Sequence, residues 1–145
     1  MSLMDWLQKH ISGDENAVLS KEDDSLSGLS LVDSIATHMA WKKRLHATLD
    51  GISSENIDVG TAAQDSLCVL GKWLYGPGKQ LYSHLPEYEA LRKVHAEFHL
   101  SAGEVLLEYK KGDIGAAMAI MKGPFNNHSN LIQLDLVKLF TAAKK

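Results

Sequence analysis

From Leu31 onward apolar residues recur every three or four positions, with polar residues between them. Leu31, Ile35, His38, Leu45, Leu49 and Ile52 mark one face of a helix running from Leu31 to about Ile52. Ser30, with Asp33 three residues on, is the expected N-cap. Residues 53–60 are polar and read as a loop. A second helix is expected from Ala62 to Tyr75, with Leu67, Leu70, Gly71 and Leu74 on its apolar arc, ended by Gly76-Pro77-Gly78. A glycine inside a helix costs about 1 kcal/mol against alanine, so Gly71 implies a close neighbour. Lys79 to Leu85 reads as a loop or a single turn.

The longest helix is expected from Pro86 to about Lys111. Its stripe is Tyr88, Leu91, Val94, His95, Phe98, His99, Ala102, Val105, Leu106 and Tyr109. Asp113 caps a short helix, Ile114 to Met121, which Gly123-Pro124 should break. The last helix runs from about Phe125 to Ala142 and is apolar around much of its circumference. Such a helix is either central or shared with a partner. No segment keeps a period of two, so the chain reads as all-α, an antiparallel four-helix bundle with an extra short helix.

Two parts are distinguished. Residues 1–30 are loop-rich with room for a short helix near Met4–Leu7, and Lys21 to Ser30 reads as loop. Residues 31–145 carry the bundle. Trp6 reads either as a ring docked on the domain or as an anchor for a partner or second subunit.

Composition narrows the function classes. Apolar residues make up 45% of the chain and charged residues 23%, as in an ordinary globular protein. The net charge is −3 and no Lys/Arg cluster stands out, which argues against nucleic-acid binding. No apolar run reaches the roughly 20 residues that span a bilayer, and the N-terminus lacks a signal-peptide pattern. Cys68 is the one cysteine, so no internal disulfide forms and a reducing, cytoplasmic setting is expected.

His95 and His99 change the picture. Residues four apart lie one above the other on a helix face, so both imidazoles can reach one point. They sit on the apolar stripe, where a metal ligand and a core histidine both remain open readings. His38 and Cys68 add metal-capable groups from two other predicted helices. Imidazole and thiolate donors suit zinc and disfavour calcium or magnesium. Asp65 and Glu97 are candidates for orienting an imidazole, or for a solvated face. Lys72 either lowers the thiol pKa or points to solvent. His10, His84 and His128 read as surface residues, and His46 lies beside the apolar row.

The string Cys68-Val69-Leu70-Gly71-Lys72-Trp73-Leu74-Tyr75-Gly76 resembles the Cys-x-Leu/Phe-Gly-Lys/Arg-Trp motif of the CZB family, the chemoreceptor zinc-binding domains. His38 with Trp41 upstream, and Tyr88, Leu91, His95 and His99 downstream, complete the pattern. The intervals are 30 residues from His38 to Cys68, 27 to His95 and 4 to His99. The likeness extends over roughly residues 34–140. It implies a helical bundle and zinc held by His38, Cys68, His95 and His99.

Four protein ligands leave no open coordination position, so an enzyme is not expected. No Walker A or Rossmann motif and no nucleophile–base–orienter set stands out. The expected function is a zinc-binding sensory or regulatory domain of bacterial signalling, of the chemotaxis or cyclic-di-GMP type. It is either stand-alone or part of a larger receptor. Zinc level, acid or oxidation of Cys68 are the candidate inputs. The expected partners are a second copy or a signalling protein. The competing readings are a structural-zinc scaffold for a partner and a hemerythrin-like iron bundle.

Overall fold

Six helices begin at a side chain that accepts the backbone N–H three residues ahead, an N-cap that satisfies one of the unpaired donors of the first turn. Ser2 accepts from Asp5, Ser20 from Asp23 and Ser30 from Asp33. Asp58 accepts from Thr61, Cys68 from Gly71 and Asp113 from Ala116. The protein is described by a computed structural model over residues 2–145. Met1, which opens the 1–30 segment, lies outside the described residues.

The capped helices are α1 (Leu3–Ile11), α2 (Lys21–Asp24), α3 (Leu31–Leu49), α4 (Val59–Ala63), α5 (Val69–Tyr75) and α8 (Ile114–Ile120). Proline at the first turn starts α6 (Pro77–Tyr82) and α7 (Pro86–Lys110). A π-helical turn, Met121–Phe125, joins α8 to α9 (Asn126–Ala143). Strands β1 (Ser25–Leu26) and β2 (Leu29–Ser30) form an antiparallel hairpin, the one sheet among the described residues. The architecture is thus an all-α helical bundle. Helix α7 is its axis, packed against α3, α4, α6, α8, the π turn and α9. Every residue of its predicted stripe is buried except Tyr109, which is half-buried.

Several boundaries differ from the periodicity. Helix α3 stops at Leu49 because Gly51 turns with φ +73°, and Ile52 is 79% exposed instead of joining the apolar face. The helix expected over Ala62–Tyr75 is two helices, α4 and α5, with α4 reaching back into the presumed loop at Val59. A Cβ on Gly71 would lie 1.7 Å from the Asp65 carbonyl oxygen, so the chain between the two helices folds down onto α5. Leu67 sits in that turn and is exposed. Of the two readings for Lys79–Leu85, the turn is the nearer: residues Pro77–Tyr82 form a short helix. Pro124 does not break the chain's course. The wider π turn holds a residue that lacks an N–H, and α8 continues into α9.

The N-terminal segment is more structured than its composition implies. Lys21–Asp24 is helical, and Leu26 and Leu29 of the hairpin are buried. Ser27 (φ +47°) and Gly28 (φ +88°) make its turn, the left-handed pair that suits a two-residue hairpin. The Trp73 indole N–H donates to Ser27 O at 3.0 Å, tying the hairpin to α5. Trp6 is 1% exposed and donates from Nε1 to Ala17 O at 3.0 Å. Its helix packs on α9, so the ring belongs to this chain's own core and is not free to anchor a partner. Helix α9 is covered from both sides by α1, α3 and α7, which accounts for its wide apolar arc within one chain. No helix of the described residues is long and apolar enough to cross a membrane.

Trp6→Ala is expected to destabilise the protein by about 3–5 kcal/mol, the usual cost of emptying a buried aromatic site. Urea unfolding of the full chain measures this. A loss under about 1 kcal/mol would show that α1 is only an appendage.

Candidate metal centre

The site lies where α3, α5 and α7 converge. His38 stands on the third turn of α3, Cys68 at the N-cap of α5, and His95 and His99 one turn apart on α7. The four residues named from the sequence come together: one ligand atom from each lies within 4.8 Å of every other. Cys68 Sγ is 3.2 Å from His95 Nε2 and 3.7 Å from His99 Nε2. The two imidazole Nε2 atoms are 3.1 Å apart.

Backbone carbonyls orient two of the rings. His38 donates from Nδ1–H to Ser34 O at 2.7 Å, and His99 from Nδ1–H to Ala62 O at 3.1 Å. Each bond leaves Nε2 with its lone pair free, the tautomer a metal ligand needs. Ser34 lies one turn before His38, so its role could be read from spacing. Ala62 lies 37 residues from His99, and nothing local announces it. These carbonyls take the place expected for Asp65 and Glu97. Asp65 instead accepts the Tyr75 hydroxyl, and Glu97 lies 3.3 Å from His128.

His38 is 1%, His95 0% and His99 2% exposed, whereas Cys68 is only half-buried. Burial pushes His38 down from 6.5 to about 4 and holds His95 and His99 below their ordinary value. The charges of His38 and His99 lower His95 further, while for His99 the Ala62 carbonyl and Asp65 oppose the shift. Burial raises the Cys68 thiol, against the Gly71 and Leu70 N–H groups, which favour the thiolate. Lys72 is exposed and does not figure among the groups acting on that thiol.

The donor set fits a cation. His38 Nε2 is buried and has no hydrogen-bond partner, though it faces the other three donors. An unpaired buried acceptor costs about 1–3 kcal/mol, and a shared ion satisfies it. Three imidazoles and a thiolate without a carboxylate match tetrahedral zinc and disfavour oxygen-loving ions. Trp41 stands edge-on to His99 at 6.1 Å, with the Arg44 guanidinium 4.2 Å over its ring, and Phe98 closes the apolar side 5.2 Å from both His38 and His99.

Of the remaining histidines, His84 is exposed, His10 is exposed and stacks on Trp6, and His46 is half-buried. His128 is half-buried, not a surface residue: its Nδ1 is 2.9 Å from Ser101 Oγ. None of these four belongs to the cluster.

Fold and site together define a helical metal-binding domain with a three-histidine, one-cysteine donor set. The family model of the chemoreceptor zinc-binding domain, CZB, matches residues 38–106. The matched span begins at His38 and ends two turns beyond His99, so it contains all four donors. It is shorter than the likeness drawn from motifs, leaving α8 and α9 outside. No curated protein and no solved structure matches the chain.

The buried imidazoles set a sign for pH. Between 6.5 and about 4 the unfolded chain binds a proton at His38 that the folded chain refuses. Stability of the metal-free protein is therefore complete above 6.5 and declines as pH falls toward 4. Denaturant midpoints of metal-free protein across that window should drop; a flat profile would contradict the neutral, buried histidines.

Proposed function

We propose that the protein is a zinc-responsive regulatory domain in which His38, Cys68, His95 and His99 bind one zinc ion. The observation that carries this reading is the convergence of four donors from three helices, with His38 Nε2 buried and unpaired. Zinc, when bound, would supply the positive charge that makes a thiolate favourable at Cys68.

The chain's own residues do the rest. Ser34 O and Ala62 O hold two rings at fixed tautomer and angle. Phe98 and Trp41 keep the site apolar. Because the donors come from α3, α5 and α7, filling the site ties these three elements together at one point. Emptying it leaves unpaired buried nitrogens and a raised thiol, so the position of α5 on α7 is linked to occupancy. Oxidation of Cys68 removes one donor and reaches the same end. With four protein ligands no position is left for a substrate or for water activation, and no catalytic role is assigned.

In this reading the output belongs to another domain or protein of bacterial signalling, of the chemotaxis or cyclic-di-GMP type. The chain works in the cytoplasm, as a homodimer or with a signalling partner. The family's description as chemoreceptor domains and the single half-buried cysteine support it. A hemerythrin-like iron site gains nothing from the geometry, since no carboxylate joins the cluster.

The test is zinc content by elemental analysis and affinity by chelator competition. Wild-type protein should hold one zinc per chain. Cys68→Ala should weaken binding by more than the roughly 10–100-fold that loss of a supporting partner costs, and hypochlorous acid should release zinc from wild type only. Unchanged 1:1 tight binding in the variant would remove Cys68 from the ligand set.

A further inference from the structure

Three of the four donors are sealed in the core, yet a cation has to reach them from solvent. A cleft of about 400 Å³ leads inward between the β1–β2 turn, α3 and α5. His38 forms part of its wall and also belongs to the four-donor cluster. The ring is 1% exposed, so the cleft is closed at its inner end, and its Nε2 is buried and unpaired. The wall facing α3 is Val69 and Leu70, the first residues of α5, directly after Cys68. The cleft thus ends against His38 on one side and the start of the Cys68 helix on the other. An outward shift of that first turn would join it to the cluster. Ser30, Ser34 and Thr37 border the cleft, Asp33 is the one acidic residue along it, and no lysine or arginine lines it. Asp33 is exposed and enters no ion pair among the described residues. A water needs on the order of 10–15 Å³ of such space, so a hydrated ion fits.

We propose that this cleft is the route by which the metal centre is loaded and emptied, with Asp33 gathering cations at its mouth and His38 the first donor they meet. The proposal rests on the zinc reading above. A carboxylate in a cleft with low-dielectric walls raises the local concentration of cations and speeds association in a salt-dependent way. Asp33 stands outside the four-donor cluster, so it acts on approach and not as a ligand of the filled site. Bulk placed in the route hinders entry and exit alike, so it changes rates and leaves affinity as it was.

Cys68 offers the competing way in. It is half-buried and does not line the cleft, so its exposed part lies outside it. Ala36 is an exposed α3 residue on the cleft wall, and Leu67 is an exposed neighbour of Cys68 outside the cleft. Bulk added at each position separates the two routes.

The experiment is stopped-flow loading of the metal-free full chain with zinc ion, and release of that zinc into excess chelator, at low and high salt. A zinc indicator dye follows both in wild type, Ala36→Phe, Asp33→Asn and Leu67→Trp, and circular dichroism verifies that each is folded. Ala36→Phe should slow loading and release by the same factor, about tenfold for an added barrier of about 1.4 kcal/mol, with one zinc per chain and unchanged affinity. Should it lose affinity instead, Val69→Phe repeats the test from the facing wall. Asp33→Asn should slow loading about threefold at low salt, and the difference should vanish at high salt. Leu67→Trp should load as wild type. Wild-type rates with the cleft filled would overturn the route, and slowing by Leu67→Trp alone would place passage at the Cys68 edge. An unchanged low-salt loading rate in Asp33→Asn would overturn the part given to Asp33. If wild type takes up no zinc, the zinc reading fails and the route with it; if one zinc binds at rates that ignore the cleft, the route alone fails.

Discussion

Two imidazole nitrogens 3.1 Å apart in a dry core set the terms for this fold. Each belongs to a ring that burial keeps neutral, and a free thiol sits within 3.7 Å of both. The chain places there a group of polar atoms that apolar packing alone does not reward. The framework around it is built to tolerate that arrangement. Helix α7 is lined by Leu91, Val94, Phe98 and Ala102 on either side of the histidines. Carbonyls from α3 and α4 take up the ring N–H groups of His38 and His99, while His95 Nδ1 is buried without a partner. Apolar burial supplies the folding energy, and the polar cluster supplies the conditional element within it.

The donors are unequal in what they control. His95 and His99 are part of the longest helix and move only if the core moves. His38 depends on α3, whose start is fixed by Ser30 and, through Asp24, by the hairpin region. Cys68 stands at the beginning of a seven-residue helix, preceded by a turn and followed by Gly76. The local element most easily displaced is therefore the one bearing sulfur. Its polar links to the remainder include the Trp73 bond to Ser27 and the Tyr88 hydroxyl bond to Leu74 O at 2.5 Å, beside the burial of Leu70, Trp73 and Leu74. A change in the fourth donor thus has a short, identifiable segment through which to act.

How much of this could be read from the chain follows from what each signal depends on. The α7 stripe and the Ser30 cap are local patterns and were legible residue by residue. The four donors were legible because a motif and three intervals pointed at them, although spacing alone left His95 and His99 undecided. The break before Cys68 was not, since Ala62, Ala63 and Leu67 favour a continuous helix. What overrules them is a tertiary fit, the close approach of Asp65 O to Gly71. Trp6 is docked on its own domain, one of its two readings, but its packing partner, α9, lies far along the chain and leaves no mark on the residues around it. Ala62 O shows no sign of its role until the helices are assembled. His128 looked solvent-facing only because its companion Ser101 sits on another helix.

The π turn at Met121–Phe125 has a geometric consequence for α8 and α9. An α-helix advances by about 100° per residue, so one extra residue in a turn rotates everything after it by about that angle. Helices α8 and α9 form one continuous rod, yet both rest on α7. A straight α-helix of that sequence could not present Ala117 and Ile132, Leu136 and Phe140 to the core with their present phase. Pro124 thus acts as a phase corrector. It lets both halves of one long element rest on α7 while keeping the Phe125 ring 4.8 Å from that of Phe98, which itself lies against His38 and His99. Removing a single residue there would turn the apolar face of α9 toward water without altering its composition at all.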